Sequence, residues 1–424
     1  MPDDRKYRSD HPSSFSQGQS SSGDSRLGGP RFGDEVSWQS SVPHVVPDEP
    51  LPELLQSSDR LIGRTVNEKY VIEGMLGRGA MAVVYLGRDV ETNRRVALKR
   101  LSIHSAEGIM RFSREVRNHS QLHHTNIVEF IEFIGEKNGQ FFLIMELAEG
   151  ANLQDLIKSM GSISEPENIA SIMFQLCDAL VYAHQNKVVH RDLKTSNIIL
   201  IDDADNDRIV VKVLDFGIAR LSGEARITLS GRAVGSPLYM SPEQCLGKTP
   251  ITLSDIYSLG IIAYEMMVGQ PPYVKGSIKE ILAAHCSPAI TPVPISHLAP
   301  RLPCARVMDQ IILKCLEADP NRRWQSASEL KAAFEYWHNG IHSKRQPTSL
   351  PPEMLRVSKP PEEQVAEKRS LAEQYDLEAK KDIGEQRHTR IAKLSARKKK
   401  KHTLLIISAS VLILVVLVCF YLSS

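Results

Sequence analysis

From residue 70 the chain alternates between short apolar runs and turns. "YVIEGML", "AVVYLGRD" and "RRVALKRL" are rich in β-branched residues and separated by turn signals, so three strands are expected. Residues 107–122 read as a helix, and "NIVEFIEFI" and "QFFLIMEL" as two further strands. After Gly150 the period changes. "PENIASIMFQLCDALVYAHQN" carries apolar residues at helical spacing, with Pro166 near its start. Strands with one helix, followed mostly by helices, predict an α+β chain of two lobes joined near residue 148.

The flanks read differently. Residues 1–60 are rich in Ser, Gly and Pro, and their few apolar positions have no period. Such a segment cannot bury enough surface to offset its ordering entropy, so a disordered tail is expected. Residues 339–402 are polar and open on the Pro-rich "QPTSLPPEMLRVSKPPEE". Within them Glu362 to about Ala396 is a good helix former. Gly384 interrupts it and alanines make weak knobs, so a solvated helix is expected rather than a coiled coil. Residues 403–422, "TLLIISASVLILVVLVCFYL", hold no charge and are long enough as a helix to cross about 30 Å of hydrocarbon. "RKKKK" at 397–401 precedes them. These cations favour the cytoplasmic face for the preceding chain and attract anionic lipid. A C-terminal membrane anchor is therefore expected. "MPDDRKYRSD" has no apolar core, so no secretory leader is expected.

Composition changes this picture little. The 424 residues exceed one compact domain, and 42% hydrophobic with 24% charged residues is ordinary for globular chains. A formal net charge of +2 points to no nucleic-acid partner. The six cysteines form no CxxC pair, which argues against a zinc site and a disulfide framework and fits a reducing compartment.

Candidate chemistry begins at "GRGAMAVVY", residues 77–85. Gly77 and Gly79 have the spacing of a phosphate loop, but Ala82 stands where a third glycine is usual. A dinucleotide turn would run into a helix. Here Val83, Val84 and Tyr85 are strand formers, so a β-hairpin is expected, either ordinary or laid over phosphates. "VALK" puts Lys99 on the next strand, within reach of phosphates, and "FSREVRNHSQL" supplies Glu115 to hold it. "HRDLKTSN" packs Asp192, Lys194 and Asn197 into one loop. An aspartate there can accept a hydroxyl proton, a lysine can neutralise a phosphoryl group, and an asparagine can ligate a metal. "DFG" adds Asp215, and two hard oxygen ligands beside nucleotide phosphates suit Mg²⁺.

With these motifs in order, followed by "SPE" and "DIYSLG", the chain resembles the eukaryotic-type (Hanks-type) Ser/Thr protein kinases, most of all their bacterial membrane-anchored members. The resemblance implies a bilobal kinase domain over 66–338, with a β-rich N-lobe (66–147) carrying one helix and a mainly helical C-lobe (148–338). It implies ATP and Mg²⁺ as cofactors and protein substrates. Lys99 would bind the α/β-phosphates and pair with Glu115. Asp192 would orient and deprotonate the substrate hydroxyl, and Lys194 would touch the γ-phosphate. Asn197 and Asp215 would hold Mg²⁺. Gly77, Gly79 and Ala82 would cover the phosphates. Glu146 to Ala148 would hydrogen-bond adenine, with Met145 as gatekeeper, and Val84, Ala97 and Ile199 would sandwich the base. Asp255 would brace the catalytic loop, and Glu243 would pair with Arg323 in a structural role.

Regulation has candidates too. Arg191 leaves a cation beside Asp192, and the segment 215–243 contains Thr228 and Ser230. A phosphate there would bond Arg191 and order the segment, so autophosphorylation through a transient homodimer is expected. Ser236 stands where the family usually has threonine. "IDDADNDRIV" lengthens the span between Asp192 and Asp215 and reads as an acidic hairpin tip. The rivals to a membrane-tethered kinase are a pseudokinase scaffold and a small-molecule phosphotransferase. The first usually lacks the lysine or one of the aspartates present here, and the second lacks "SPE". The expected location is a bacterial inner membrane, with the kinase domain cytoplasmic.

Overall fold

The computed structural model describes residues 61–79, 82–101, 121–136, 139–206, 208–216 and 237–356. The first lobe is an antiparallel sheet of β1 (Thr65–Val66), β2 (Tyr70–Arg78), β3 (Ala82–Asp89), β4 (Arg95–Leu101), β5 (Phe130–Gly135) and β6 (Phe141–Glu146), in the order β1-β2-β3-β4-β6-β5. Side chains alternate across a strand, and the sequence uses both faces. Val83, Tyr85, Val96 and Leu98 join Tyr70, Ile72, Phe142 and Ile144 in one buried cluster. Their neighbours Val84 and Ala97 join Leu143 and Met145 in a second.

The strand expected from Asn126 begins only at Phe130. Asn126 to Val128, just before it, pair with the other lobe instead. Val128 donates its N–H to the Val213 carbonyl at 3.0 Å, and Val213 returns one to Asn126 at 2.9 Å. The Asn126 side chain donates to Gln175 and to the Val211 carbonyl. Of the helix expected over 107–122, residues up to 120 lie outside the described residues; Leu122 is buried in the C-lobe core.

In the second lobe a short sheet of β7 (Ala151–Asn152), β8 (Ile198–Asp203) and β9 (Arg208–Val213) lies beside helices. These include α1 (Leu153–Met160), α2 (Pro166–Gln185), α3 (Pro242–Cys245), α4 (Thr252–Val268), α5 (Ile278–Cys286), α6 (Ile295–Leu298), α7 (Ala305–Cys315), α8 (Ala327–Ile341) and α9 (Pro352–Leu355). Asp203 pairs with Arg208 across the β8–β9 hairpin, so Ala204, Asp205 and Asn206 lie at an acidic tip, as expected. Helix α2 starts with Pro166 in its first turn, where the missing N–H costs nothing. Helix α4 is buried all round, the pattern of a central core helix, and it takes Asp255 and Glu265 inside with it. Gly260 lets α7 approach: a Cβ there would stand 2.4 Å from Cβ of Cys315.

The polar stretch expected as linker from residue 339 stays on the C-lobe as far as Arg356. Leu350 is buried and donates its N–H to Gln310 at 2.6 Å, and Lys314 donates to the Met354 carbonyl at 2.6 Å. Charge and proline hid this contact, because one buried leucine and two capped polar groups make it. The tail expected over 1–60, the rest of the expected linker and the anchor expected at 403–422 lie outside the described residues. Among the described residues no helix is long and apolar enough to cross a membrane.

Candidate active site

The catalytic string lies between α2 and β8, and its backbone is held from below by α4. Asp255 accepts the N–H of His190 at 2.8 Å on one carboxylate oxygen and that of Arg191 at 3.0 Å on the other. His184 Nε2 meets the same carboxylate at 2.9 Å. Burial alone would raise the Asp255 carboxyl, but His184, His190 and the backbone N–H of His190 hold it below its ordinary value. The brace expected of Asp255 is thus a bidentate clamp, and it supports Arg191 at a positive φ of 70°. His190 is wholly buried, packs against the Phe216 ring at a tilt of 54° with centroids 4.6 Å apart, and meets the Leu214 carbonyl at 2.9 Å. Burial lowers its imidazole below the ordinary value, against the pull of the Asp255 and Asp192 carboxylates.

On this base Lys194 Nζ lies 2.7 Å from the Asp192 carboxylate, and the Asn197 side-chain amide donates to the Asp192 carbonyl at 2.9 Å. The Asn197 carbonyl in turn accepts the Leu214 N–H at 2.8 Å, which ties the loop to the strand leading into Asp215. Asp192 and Lys194 each keep about a fifth of their side chains exposed, so the pair is open to a substrate.

Opposite, the sheet register sets Gly77 beside Val84, Val84 beside Lys99 and Lys99 beside Leu143. Lys99 Nζ reaches across the lobes to Asp215 at 2.7 Å. Burial would raise the Asp215 carboxyl, yet the Lys99 ammonium with His190 and Lys194 keeps it below its ordinary value. Asp215, also at positive φ (55°), therefore stays ionised. Glu115, expected to hold Lys99, lies outside the described residues; the lysine's described partner is Asp215. The amide oxygen of Asn197 and the Asp215 carboxylate are hard oxygen donors, a set that fits Mg²⁺.

The glycine hairpin closes with Gly79 N–H on the Ala82 carbonyl at 2.9 Å. A Cβ at Gly77 would meet nothing within 4 Å, and one at Gly79 only that carbonyl at 3.7 Å. Space above the backbone is what a phosphate needs. Ala82 is not among the residues with positive φ, so its methyl brings no backbone strain. Val84, Ala97 and Met145 share one apolar patch with Leu147. Ile199 sits on β8, against the Gly150 turn, where a Cβ would come within 2.9 Å of its methyl. Glu146 sends its carboxylate to Lys212 at 2.8 Å, so the adenine contacts expected of 146–148 fall to backbone groups.

Glu243 and Arg323 form a bidentate pair at 3.0 and 2.9 Å, and Arg323 is fully buried. Burial would raise Glu243; Arg323 and Ser254 hold it low. Sequence reasoning passed over the neighbouring lock. Thr195 meets the Tyr239 hydroxyl at 2.8 Å, Tyr239 donates to Glu265 at 2.5 Å, and Gln244 donates to the Arg191 carbonyl at 2.7 Å. A tyrosine two residues before "SPE" and a glutamate inside an apolar helix were the available signals. Thr228, Ser230 and Ser236 lie outside the described residues.

Residues 70–334 match the protein kinase domain family. Over 273 residues the chain is 37% identical to a probable serine/threonine-protein kinase of Clostridium acetobutylicum, covering 64% of this chain and 40% of that protein. Over 275 residues it is 38% identical to the serine/threonine-protein kinase PrkC of Bacillus subtilis, covering 64% and 41%. With PknB of Mycobacterium tuberculosis H37Rv it shares 33% over 284 residues, covering 65% and 44%. The chain thus spans about two fifths of the length of these curated relatives. The crystal structure of the Mycobacterium tuberculosis PknI kinase domain covers 64% of this chain and 97% of its own, at 27% identity and a TM-score of 0.51.

Proposed function

The chain belongs to the protein kinase family, and from that premise we propose that it is an ATP-dependent protein serine/threonine kinase with Asp192 as its catalytic base. One observation carries this reading. Asp192 and Lys194 stand 2.7 Å apart on a braced loop, and Lys99 and Asp215 stand 2.7 Å apart across the same cleft. A substrate hydroxyl bonds to Asp192, which orients its oxygen toward the γ-phosphorus. The new P–O bond forms as the bond to the β-phosphate oxygen breaks. The hydroxyl proton passes to Asp192 and ADP leaves. A loose transition state asks little basicity of the carboxylate, so positioning and charge dominate. Lys194 neutralises the moving phosphoryl group, and Lys99 binds the α/β-phosphates. Asn197 and Asp215 would hold Mg²⁺, which supplies charge neutralisation between the phosphates. Val84, Ala97, Met145 and Ile199 receive the base, while Gly77, Gly79 and Ala82 cover the phosphates.

Lys99, Asp192 and Asp215 all stand, which favours a working enzyme over a pseudokinase scaffold. Phosphoamino-acid analysis of a protein substrate labelled from γ-labelled ATP should give phosphoserine and phosphothreonine. Label on tyrosine alone, or only on small molecules, contradicts the reading. The uncharged run at 403–422 behind "RKKKK" supports a single-pass anchor with the kinase domain on the cytoplasmic side of a bacterial inner membrane. Anchoring raises local concentration and favours trans-autophosphorylation at Thr228 or Ser230 in a transient homodimer. Peptide mass mapping after incubation with ATP that finds neither residue modified refutes that step. Deleting 403–424 should release the protein from the membrane fraction.

A further inference from the structure

On the C-lobe, the first turn of α2 and the C-terminal end of α8, with its cap residue His342, bring three donor side chains together. His338 and His342 are four residues apart and share one helix face, with ring centroids 5.2 Å apart. Glu167 comes from α2, and its Oε1 lies 3.6 Å from His342 Nε2. One ligand atom from each of the three lies within 4.8 Å of the others. The helices behind them are fixed. Phe174 of α2 meets His338 edge-on at 5.9 Å, and Lys331 of α8 bonds Asp178 of α2 at 2.7 Å. Glu167 and His342 are exposed, so neither is there to fill the core.

We propose that Glu167, His338 and His342 form a binding site for a borderline divalent transition metal, Zn²⁺ foremost, that clamps α2 to α8. Two imidazoles and one carboxylate are the donors such ions take, whereas Mg²⁺ and Ca²⁺ prefer oxygen alone. Bonds of about 2.0–2.2 Å in a tetrahedron place ligand atoms about 3.3 Å apart. The His342–Glu167 pair already stands near that spacing. Side-chain rotation on two preformed helical turns closes the rest, and water takes the fourth position. Cysteine spacing, the sequence signal that argued against zinc, says nothing about such a site. The clamp lies where α8 gives way to the 343–356 segment on α7, so an ion would fix the exit of the chain from the kinase domain.

Equilibrium dialysis and thermal unfolding of the metal-stripped full chain test this, with Zn²⁺ and Co²⁺ as probes and Mg²⁺ as control. One equivalent of Zn²⁺ should bind and raise Tm, Mg²⁺ should not, and Co²⁺ should give visible bands of a low-symmetry nitrogen and oxygen site. His342→Gln and Glu167→Gln, both at exposed positions, should each weaken Zn²⁺ binding more than about tenfold, a loss that even outer-shell partners can cause. Phosphotransfer in metal-free buffer with Mg²⁺ should be unchanged in both. Zn²⁺ binding that is absent in the wild type, or equally tight in His342→Gln and Glu167→Gln, overturns the site.

Discussion

In the catalytic loop, His190 and Arg191 give both N–H groups to Asp255, Arg191 gives its carbonyl to Gln244, and Thr195 is tied through Tyr239 to Glu265. In the glycine hairpin, residues 76–78 are exposed and Gly77 has open space where a side chain would stand. One region is fixed by buried polar groups bonded to one another; the other leaves open space at its two glycines. The chemistry explains the contrast. Proton transfer and in-line displacement need atoms held to within fractions of an ångström, whereas phosphate cover needs backbone N–H groups that nothing shields.

The fixed region should therefore be sensitive to single polar changes and the hairpin tolerant. The largest effect should come from Arg323→Met, which strands Glu243 in the interior. Unpairing a buried charge costs about 3–5 kcal/mol, so urea midpoints should collapse; a loss near zero would mean that the anchor does not support the fold. Next is pH. His285 is bonded to Tyr257, whose ring faces Arg323. Burial pushes its imidazole down to about 4. The unfolded chain takes up this proton first, near 6.5, so stability falls as pH drops from 6.5 to 4, by about 3 kcal/mol. His285→Gln should make that slope shallower, with the remainder carried by His190, also lowered by burial, and, further down, by protonation of Asp255, Asp215 and Glu243.

Asp255→Asn comes third. An amide turns an NH₂ against a backbone N–H that needs an acceptor, a cost of about 1–3 kcal/mol. Turnover should fall about tenfold or more with the KM for ATP little changed; equal loss in both would mean that the C-lobe as a whole has loosened. The smallest effect belongs to the hairpin. Ala82→Gly adds chain freedom worth about 0.4–1 kcal/mol and should change ATP affinity only a few-fold. A large gain in turnover would show that the alanine impairs the loop.

The sequence made the contrast half legible. Asp192, Lys194 and Asn197 sit within six residues, so one loop had to bring them together, and alternation of Val84, Ala97 and Lys99 with core residues put them on one face. What stayed hidden joins positions far apart in the chain. Lys99–Asp215, Tyr239–Glu265 and Asn126–Val211 depend on how two lobes and a buried helix pack, and no period records that. The packed stretch to Arg356 escaped for the same reason, since Leu350 reads as one apolar residue among prolines.

The most direct test measures ATP binding and γ-phosphate transfer in one preparation of the full chain and of Asp192→Asn. The account predicts that the variant binds Mg²⁺–ATP as the wild type does while transfer to serine and threonine falls by about 10²–10⁴-fold. Equal phosphate incorporation by both proteins would contradict it.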